Sequence, residues 1–318
     1  QTMGLNVLSL FDGAAGGMQA LERCGIVVDN YFASEVDKYA IQVAQKNYPT
    51  IQQIGDVKNI KASDLPHIHL LIGGSPCQSF SFAAKRNGMT TKDNQEILSL
   101  DHYMELKEEG FEFEGQSYLF WEYMRVLADV KPDFFLLENV MMAEKWRKVL
   151  TAAIGVEPVM INSALLSAQN RKRLYWTNIG ATKVEGSEIL ASGITQPADK
   201  MIFLKDIIED NVDEMYYVDI SKNKRLRETL KVRDLTDTCI IDSYNKAIHE
   251  GKANTISTRV DASNCTHIFD KAIIVHNLQT RSPNRPSLAE NKNAGGSGPL
   301  SKSDGKSYCV DTVNLQAI

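Results

Sequence analysis

The chain has 318 residues, of which 43% are hydrophobic and 24% charged, with a net charge of −5. That length can bury a large core, most simply one big domain with a smaller one beside it. No run of about 20 apolar residues is present, and nothing at the start looks like a signal peptide. The negative balance means that any contact with nucleic acid has to come from local basic patches. Five cysteines (Cys24, Cys77, Cys239, Cys265, Cys309) are odd in number and widely spaced, with no Cys-x-x-Cys pair and no Cys/His metal pattern. They point to a reducing cytoplasm, without structural disulfides and without a metal.

The first half reads as repeated strand–helix units. Leu5 to Phe11 alternates as a strand and runs into Asp12-Gly13-Ala14-Ala15-Gly16-Gly17, after which Met18, Leu21 and Cys24 mark a helix. A glycine-rich turn between strand and helix lets a ligand approach the backbone at a helix N-terminus, although such turns are also common without one. Tyr31 to Ser34 forms the next strand and ends in Glu35, 22 residues past Gly13. An acidic residue there suits a ribose hydroxyl pair, and equally a solvated helix start. A helix from Lys38 to Asn47 stops at Tyr48-Pro49, and a short strand from Gln52 to Ile54 leads to Gly55-Asp56-Val57.

His69 to Ile72 is a short apolar strand, halted by Gly73-Gly74-Ser75-Pro76, and Cys77 follows at its carboxyl end. Ligands and reacting groups gather at such strand ends in open α/β sheets. A thiol on a proline-braced turn is a candidate nucleophile, and a buried core cysteine is the plainer alternative. Glu35, Asp56 and Cys77 succeed one another at intervals of 21 residues, one polar group per strand–helix unit. No Gly-Lys-Ser/Thr element is present, so an adenosine-bearing cofactor without a phosphate chain fits better than a nucleoside triphosphate.

Ser79 to Asn94 is polar and irregular, as expected of a loop that closes over a site or of plain disorder. The acidic stretch from Glu105 to Glu114 reads as a solvated face. An amphipathic helix opens at Gln116, reaches Val130 and is broken by Lys131-Pro132-Asp133. Phe134 to Leu137 is again an apolar strand, ending in Glu138-Asn139-Val140, where a carboxylate should be partly desolvated and able to hold a proton. A helix over Lys145–Ile154 and a strand over Pro158–Ala164 come next. Gln169-Asn170-Arg171-Lys172-Arg173 then puts two arginines on one side of an extended segment, suited to a phosphate or a base carbonyl and also to plain surface.

Taken together, Phe11-Asp12-Gly13, Glu35, Gly55-Asp56-Val57, Pro76-Cys77-Gln78, Leu119-Phe120, Glu138-Asn139-Val140 and Gln169-x-Arg171-x-Arg173 resemble the motif series of the DNA cytosine-5 methyltransferases. The resemblance covers residues 5–180 and is closest in detail to the de novo branch and its phage and bacterial relatives. It implies an α/β, Rossmann-like methyltransferase domain over 1–180 that uses S-adenosylmethionine. It also implies a smaller, irregular, β-rich target-recognition domain over 181–318. Cys77 would attack C6 of cytosine, Glu138 would stabilise the adduct at N3, and Arg173 would contact the base O2. Arg171 would support Glu138 or a phosphate. Phe11, Asp12, Gly13, Glu35, Val36, Asp56, Val57, Pro76 and Leu119 would form the cofactor pocket, with Glu35 on the ribose and Asp56 on the adenine amino group. The partner would be double-stranded DNA with the base flipped out, and a cognate restriction endonuclease in a bacterial or phage-infected cell.

Beyond Gly180 the strand–helix rhythm ends. Phe203 to Asp210 resembles the lead-in to a target-recognition region, and Lys222 to Arg233 is the most basic stretch. Gln78, Ser79, Lys85, Arg86, Gln169, Arg225, Arg227 and Arg259 are the expected DNA contacts. The Arg-Leu-Thr-Pro-like and Gly-Asn-like elements with which family members usually close the cofactor pocket are not found before Ile318. This implies a truncated chain, a split enzyme or a silent DNA-binding paralogue. An RNA cytosine methyltransferase of the same fold is the further alternative, disfavoured by the long recognition region.

Overall fold

A computed structural model describes residues 4–76, 89, 95–113, 115–208, 224–231, 238–242, 247–254, 266–270 and 273–275, with backbone alone at 225, 242, 254, 266–270 and 273–275. The chain divides into two compact units. One comprises Gln1–Ile161 with Lys172–Gln196, the other Asn162–Arg171 with the chain from Pro197 onward.

The first unit is built on a seven-stranded sheet in the order β3-β2-β1-β4-β5-β8-β6. Its strands are β1 (Leu5–Leu10), β2 (Val28–Ser34), β3 (Gln52–Gln53), β4 (Leu70–Gly74), β5 (Phe134–Val140), β6 (Val159–Asn162) and β8 (Lys172–Thr177). The run from β3 to β5 is parallel, and β8 is antiparallel to β5. From β1 the chain first adds strands on one side and then returns to place β4 on the other. The carboxyl ends of β1 and β4 therefore flank a topological switch point, where open α/β sheets bind ligands.

Alternation along the strands explains why both faces are covered. Val7, Tyr31, Ala33 and Leu70 enter one core with Leu21 and Ala44, from helices α1 (Gly16–Arg23) and α2 (Lys38–Asn47). Leu8, Leu10, Phe32 and Leu71 enter the other with Leu106, Trp121 and Leu150. Those three come from α3 (Leu100–Glu108), α4 (Leu119–Val130) and α5 (Glu144–Ile154). Each fully buried aliphatic or aromatic side chain of this kind contributes about 1.5–3 kcal/mol.

Caps set the helix ends. Asp37 accepts from the amides of Tyr39 and Ala40 to start α2, and Ser99 accepts from His102 to start α3. Lys131 and Gly155 end α4 and α5 in the left-handed conformation. The acidic stretch expected as a plain solvated face overlaps the last turn of α3. Within that stretch Leu106 turns inward beside Tyr103, one turn earlier on the helix, a spacing masked by the surrounding charges.

In the second unit, β9 (Cys239–Asp242), β10 (Ala247–Glu250), β12 (Thr266–Asp270) and β13 (Ile273–Val275) form an antiparallel sheet in the order β10-β9-β12-β13. Helix α6 (Lys224–Leu230) buries Leu226 against Cys239 and Ile241 of that sheet. A two-strand ladder pairs β7 (Gln169–Asn170) with β11 (Ala253–Asn254). Among the described residues no helix is long and apolar enough to cross a membrane.

Candidate active site

The glycine-rich turn after β1 is held in an unusual backbone shape. Phe11, Gly13 and Ala15 all have positive φ, at 56°, 60° and 65°. The left-handed region costs a non-glycine residue about 1–2 kcal/mol, so the turn needs outside support. Glu35 supplies part of it. Its Oε2 accepts from the Gly13 amide at 2.8 Å, and its Oε1 accepts from the amides of Val36 at 2.7 Å and Asp37 at 2.8 Å.

Asp12 supplies the rest. Its side chain turns inward, where Oδ1 accepts from the Tyr31 hydroxyl at 2.7 Å. Gly17 makes room for this bond, since a Cβ there would lie 2.7 Å from the Tyr31 oxygen. Oδ2 is buried and has no hydrogen-bond partner among the described residues. Burial pushes the Asp12 carboxyl up to about 6, against the lowering effect of hydrogen bonds from Tyr31 and Ser9, and Glu35 adds repulsion.

A carboxyl raised in the folded state makes the folded protein less stable as pH rises from its unfolded value of 3.8 through about 6. The cost at neutral pH is about 3 kcal/mol. Asp12→Asn cannot ionise, but it buries an amide without an acceptor at about 1–3 kcal/mol. Its stability relative to the parent is therefore expected to improve by about 3 kcal/mol between pH 4 and pH 8. Urea unfolding at the two pH values checks this, and a pH-independent difference would refute it.

Asp56 follows β3. It caps the short turn Val57–Asn59 by accepting from the Lys58 amide at 3.0 Å. Ser34 at the end of β2 donates to the Gly55 carbonyl at 2.7 Å, tying the two strand ends together. Val36 is 71% exposed and Leu119 half-buried at the first position of α4.

At the carboxyl end of β4, Ser75 is buried and Pro76 half-buried. The Asn139 amide, 1% exposed, donates to Ser75 Oγ at 3.0 Å and accepts from the Val140 amide at 2.8 Å. This fixes Ser75, two residues before Cys77 in sequence. Next to it on β5, Glu138 stands in register with Gly74, where a Cβ would lie 3.0 Å from Glu138 Oε2. The strand ends in Glu138-Asn139-Val140, as expected. Arg173 on the antiparallel strand β8 reaches across, and its Nε pairs with Glu138 Oε1 at 2.8 Å. The guanidinium on this carboxylate supplies a counter-charge that an apolar strand end would otherwise lack.

The structure therefore brings together Phe11, Asp12, Gly13 and Glu35 around one turn, Asp56 and Val57 in a second, and Pro76, Glu138 and Arg173 around a third. Arg171 and Gln169 belong to the second unit, where Gln169 pairs with Ala253. Arg227 is exposed on α6. Cys77, Gln78, Ser79, Lys85, Arg86 and Arg259, together with the side chain of Arg225, lie outside the described residues.

Sequence reasoning missed Glu122, a carboxylate with 0% exposure inside α4. It accepts from Tyr103 Oη at 2.6 Å and Arg125 Nε at 2.7 Å, and from Lys107. Burial by itself would push its carboxyl up, but these three donors outweigh burial and hold it below its ordinary value. The available signal was an acid and a base three apart in a helix otherwise rich in aromatic residues.

His67, His69 and Asp133 also gather, near the amino ends of β4 and β5. His67 Nε2 lies 3.0 Å from Asp133 Oδ2, while His69 Nδ1 accepts from the Asn6 amide. With Nδ1 accepting, a neutral His69 carries its proton on Nε2, so neither ring nitrogen offers a metal a free lone pair.

The profile of the C-5 cytosine-specific DNA methylases matches residues 5–296 of the chain. Orphan methyltransferase M.SPRI of Bacillus phage SPR is 29% identical over 278 residues, covering 75% of this chain and 57% of that protein. Orphan methyltransferase M.Rho11sI of Bacillus phage rho11s is 28% identical, covering 76% of this chain and 51% of its own length. Type II methyltransferase M.Bsp6I of a Bacillus species is 28% identical over 268 residues, covering 80% of this chain and 76% of that one. The chain thus spans little more than half of the two phage relatives. With a match that runs from β1 well into the second unit, the chain belongs to the family of C-5 cytosine-specific DNA methylases.

Proposed function

We propose that this chain methylates C5 of a flipped-out cytosine in duplex DNA, using S-adenosylmethionine and a transient bond between Cys77 and C6. The observation that carries the reading is the Glu138–Arg173 pair beside the Asn139-braced Ser75. It supports the reading because an acid and a cation stand beside Ser75, two residues before Cys77 in sequence.

The chemistry calls for these groups. Cytosine C5 is a weak nucleophile until the ring loses its aromaticity. Addition of the Cys77 thiolate to C6 does this, provided that N3 is stabilised as electrons move into the ring. Glu138 shares a proton with N3, and Arg173, held against Glu138, would donate to the base O2. After transfer, loss of the C5 proton allows the Cys77–C6 bond to break. Because C6 is inaccessible within a duplex, the base has to leave the stack.

The first unit fits the cofactor. When bound, S-adenosylmethionine supplies an electrophilic methyl group and brings positive charge. The unpartnered, buried Asp12 Oδ2 would accept that charge, which would offset the cost of keeping this carboxyl ionised. Glu35 Oε1 is filled by two amides, so the ribose contact falls to Oε2, which has one acceptor direction left. Phe11 would stack on the adenine and Asp56 would accept from its amino group, with Val36, Val57, Pro76 and Leu119 bordering the ring and ribose. Arg225 and Arg227 on α6 are proposed to meet phosphates.

The test is transfer of labelled methyl from S-adenosylmethionine to unmethylated duplex DNA. The chain would be assayed as it stands and with any natural continuation, beside Cys77→Ala and an RNA control. The expected result is label at cytosine C5 of DNA, abolished by Cys77→Ala. Label on RNA alone would favour the RNA alternative, and DNA binding without any transfer would favour a silent paralogue.

A further inference from the structure

Arg125 makes contacts that the reaction itself does not call for. From the middle of α4 its Nε pairs with Glu122 at 2.7 Å, while Nη2 donates to the Val57 carbonyl at 2.9 Å and Nη1 to the Ile60 carbonyl at 3.1 Å. Nη1 also reaches Asp129 at 3.1 Å. Its side chain is 13% exposed, and Glu122, which aims it, is fully buried. The two carbonyls bracket the turn capped by Asp56, and Val57 and Ile60 are themselves buried. Tyr118, at the start of α4, feels the charges of both Lys58 and Asp56, so the turn borders the end of the helix that carries Leu119.

A buried ion pair is a poor way to gain stability, since apolar residues of the same volume usually serve as well or better. What a guanidinium adds is a rigid fork of donors with fixed directions. From this geometry we infer that Arg125, aimed by Glu122, is a positioning residue for the adenosine end of the cofactor. It locks the Asp56–Val57 turn to α4, so that Asp56 and Leu119 face the ring in one fixed arrangement. The inference rests on the proposed cofactor contact of Asp56.

Arg125→Lys separates positioning from folding. An ammonium keeps the charge beside Glu122 but cannot also reach the carbonyls of Val57 and Ile60. Calorimetric titration of S-adenosylmethionine and S-adenosylhomocysteine into the parent, Arg125→Lys, Asp56→Ala and the double variant reads the effect. Arg125→Lys is expected to weaken both ligands about tenfold, with kcat at saturating cofactor and KM for DNA unchanged. In the Asp56→Ala background the same change is expected to cost almost nothing more. If Asp56→Ala weakens binding while Arg125→Lys does not, or if the two effects add, the clamp is refuted and the cofactor assignment stands. If Asp56→Ala leaves binding intact, the assignment of Asp56 fails and the clamp fails with it.

Discussion

Replacing Glu122 by alanine is expected to cost the first unit about 3–5 kcal/mol, because it leaves charged partners uncompensated in the core. Arg125 is 13% exposed and Lys107 32% exposed, and both point at a carboxylate that has no contact with solvent. Tyr103 would lose its acceptor as well, in surroundings where burial and the neighbouring carboxylate already hold its hydroxyl far from ionising. Urea unfolding at pH 7 measures the loss, and a change below about 1 kcal/mol, the range of a surface pair, would contradict the description of Glu122 as a buried hub.

The pH dependence has a definite sign. Glu122 is held below 4.5 in the folded protein. Its stabilisation is therefore present above that value and is lost as pH falls through the folded one. Asp12 acts the other way, costing stability as pH rises from 3.8 through about 6. One buried carboxyl is satisfied and supports the fold. The other is left short of donors beside the proposed cofactor turn, where binding can repay what folding lost.

That contrast shows what the sequence could reveal. Apolar runs, glycine turns and Tyr-Pro or Lys-Pro breaks place the parallel strands and α2, α4 and α5 to within a few residues, because local chemistry decides them. Glu35 and Glu138 were legible for the same reason, since one follows directly on β2 and the other lies near the end of β5. Glu122 was legible only as an acid three residues before a base in an aromatic-rich helix. That spacing does not separate a carboxylate facing Lys107 and Arg125 in a core from one facing water. The inward turn of Asp12 depends on Tyr31, 19 residues away, and on the missing side chain of Gly17. The partner of Glu138 was equally hidden, because Arg173 reaches it only through the antiparallel pairing of β8 with β5.

Glu138→Gln is the companion experiment to Glu122→Ala, and its outcome should be the reverse: a large loss of rate with little loss of stability. Glu138 is 23% exposed and Arg173 15%. The amide oxygen of glutamine can still accept from the guanidinium, so unfolding should change by only about 1 kcal/mol. What the amide cannot do is share a proton with the ring nitrogen as Cys77 adds to C6. General acid–base groups of this kind contribute about 10²–10⁴-fold, and kcat for methyl transfer should fall by that factor. Cofactor affinity should stay unchanged, because Glu138 is not among the residues assigned to the adenosine or its ribose. Stopped-time assays with labelled S-adenosylmethionine, run beside calorimetric binding, separate the two quantities. A variant that turns over at the parent rate would remove Glu138 from the reaction. A variant that loses cofactor binding instead would move it into the pocket. A fall in kcat alone would leave the acid where the geometry has it, paired with Arg173 near the end of β5.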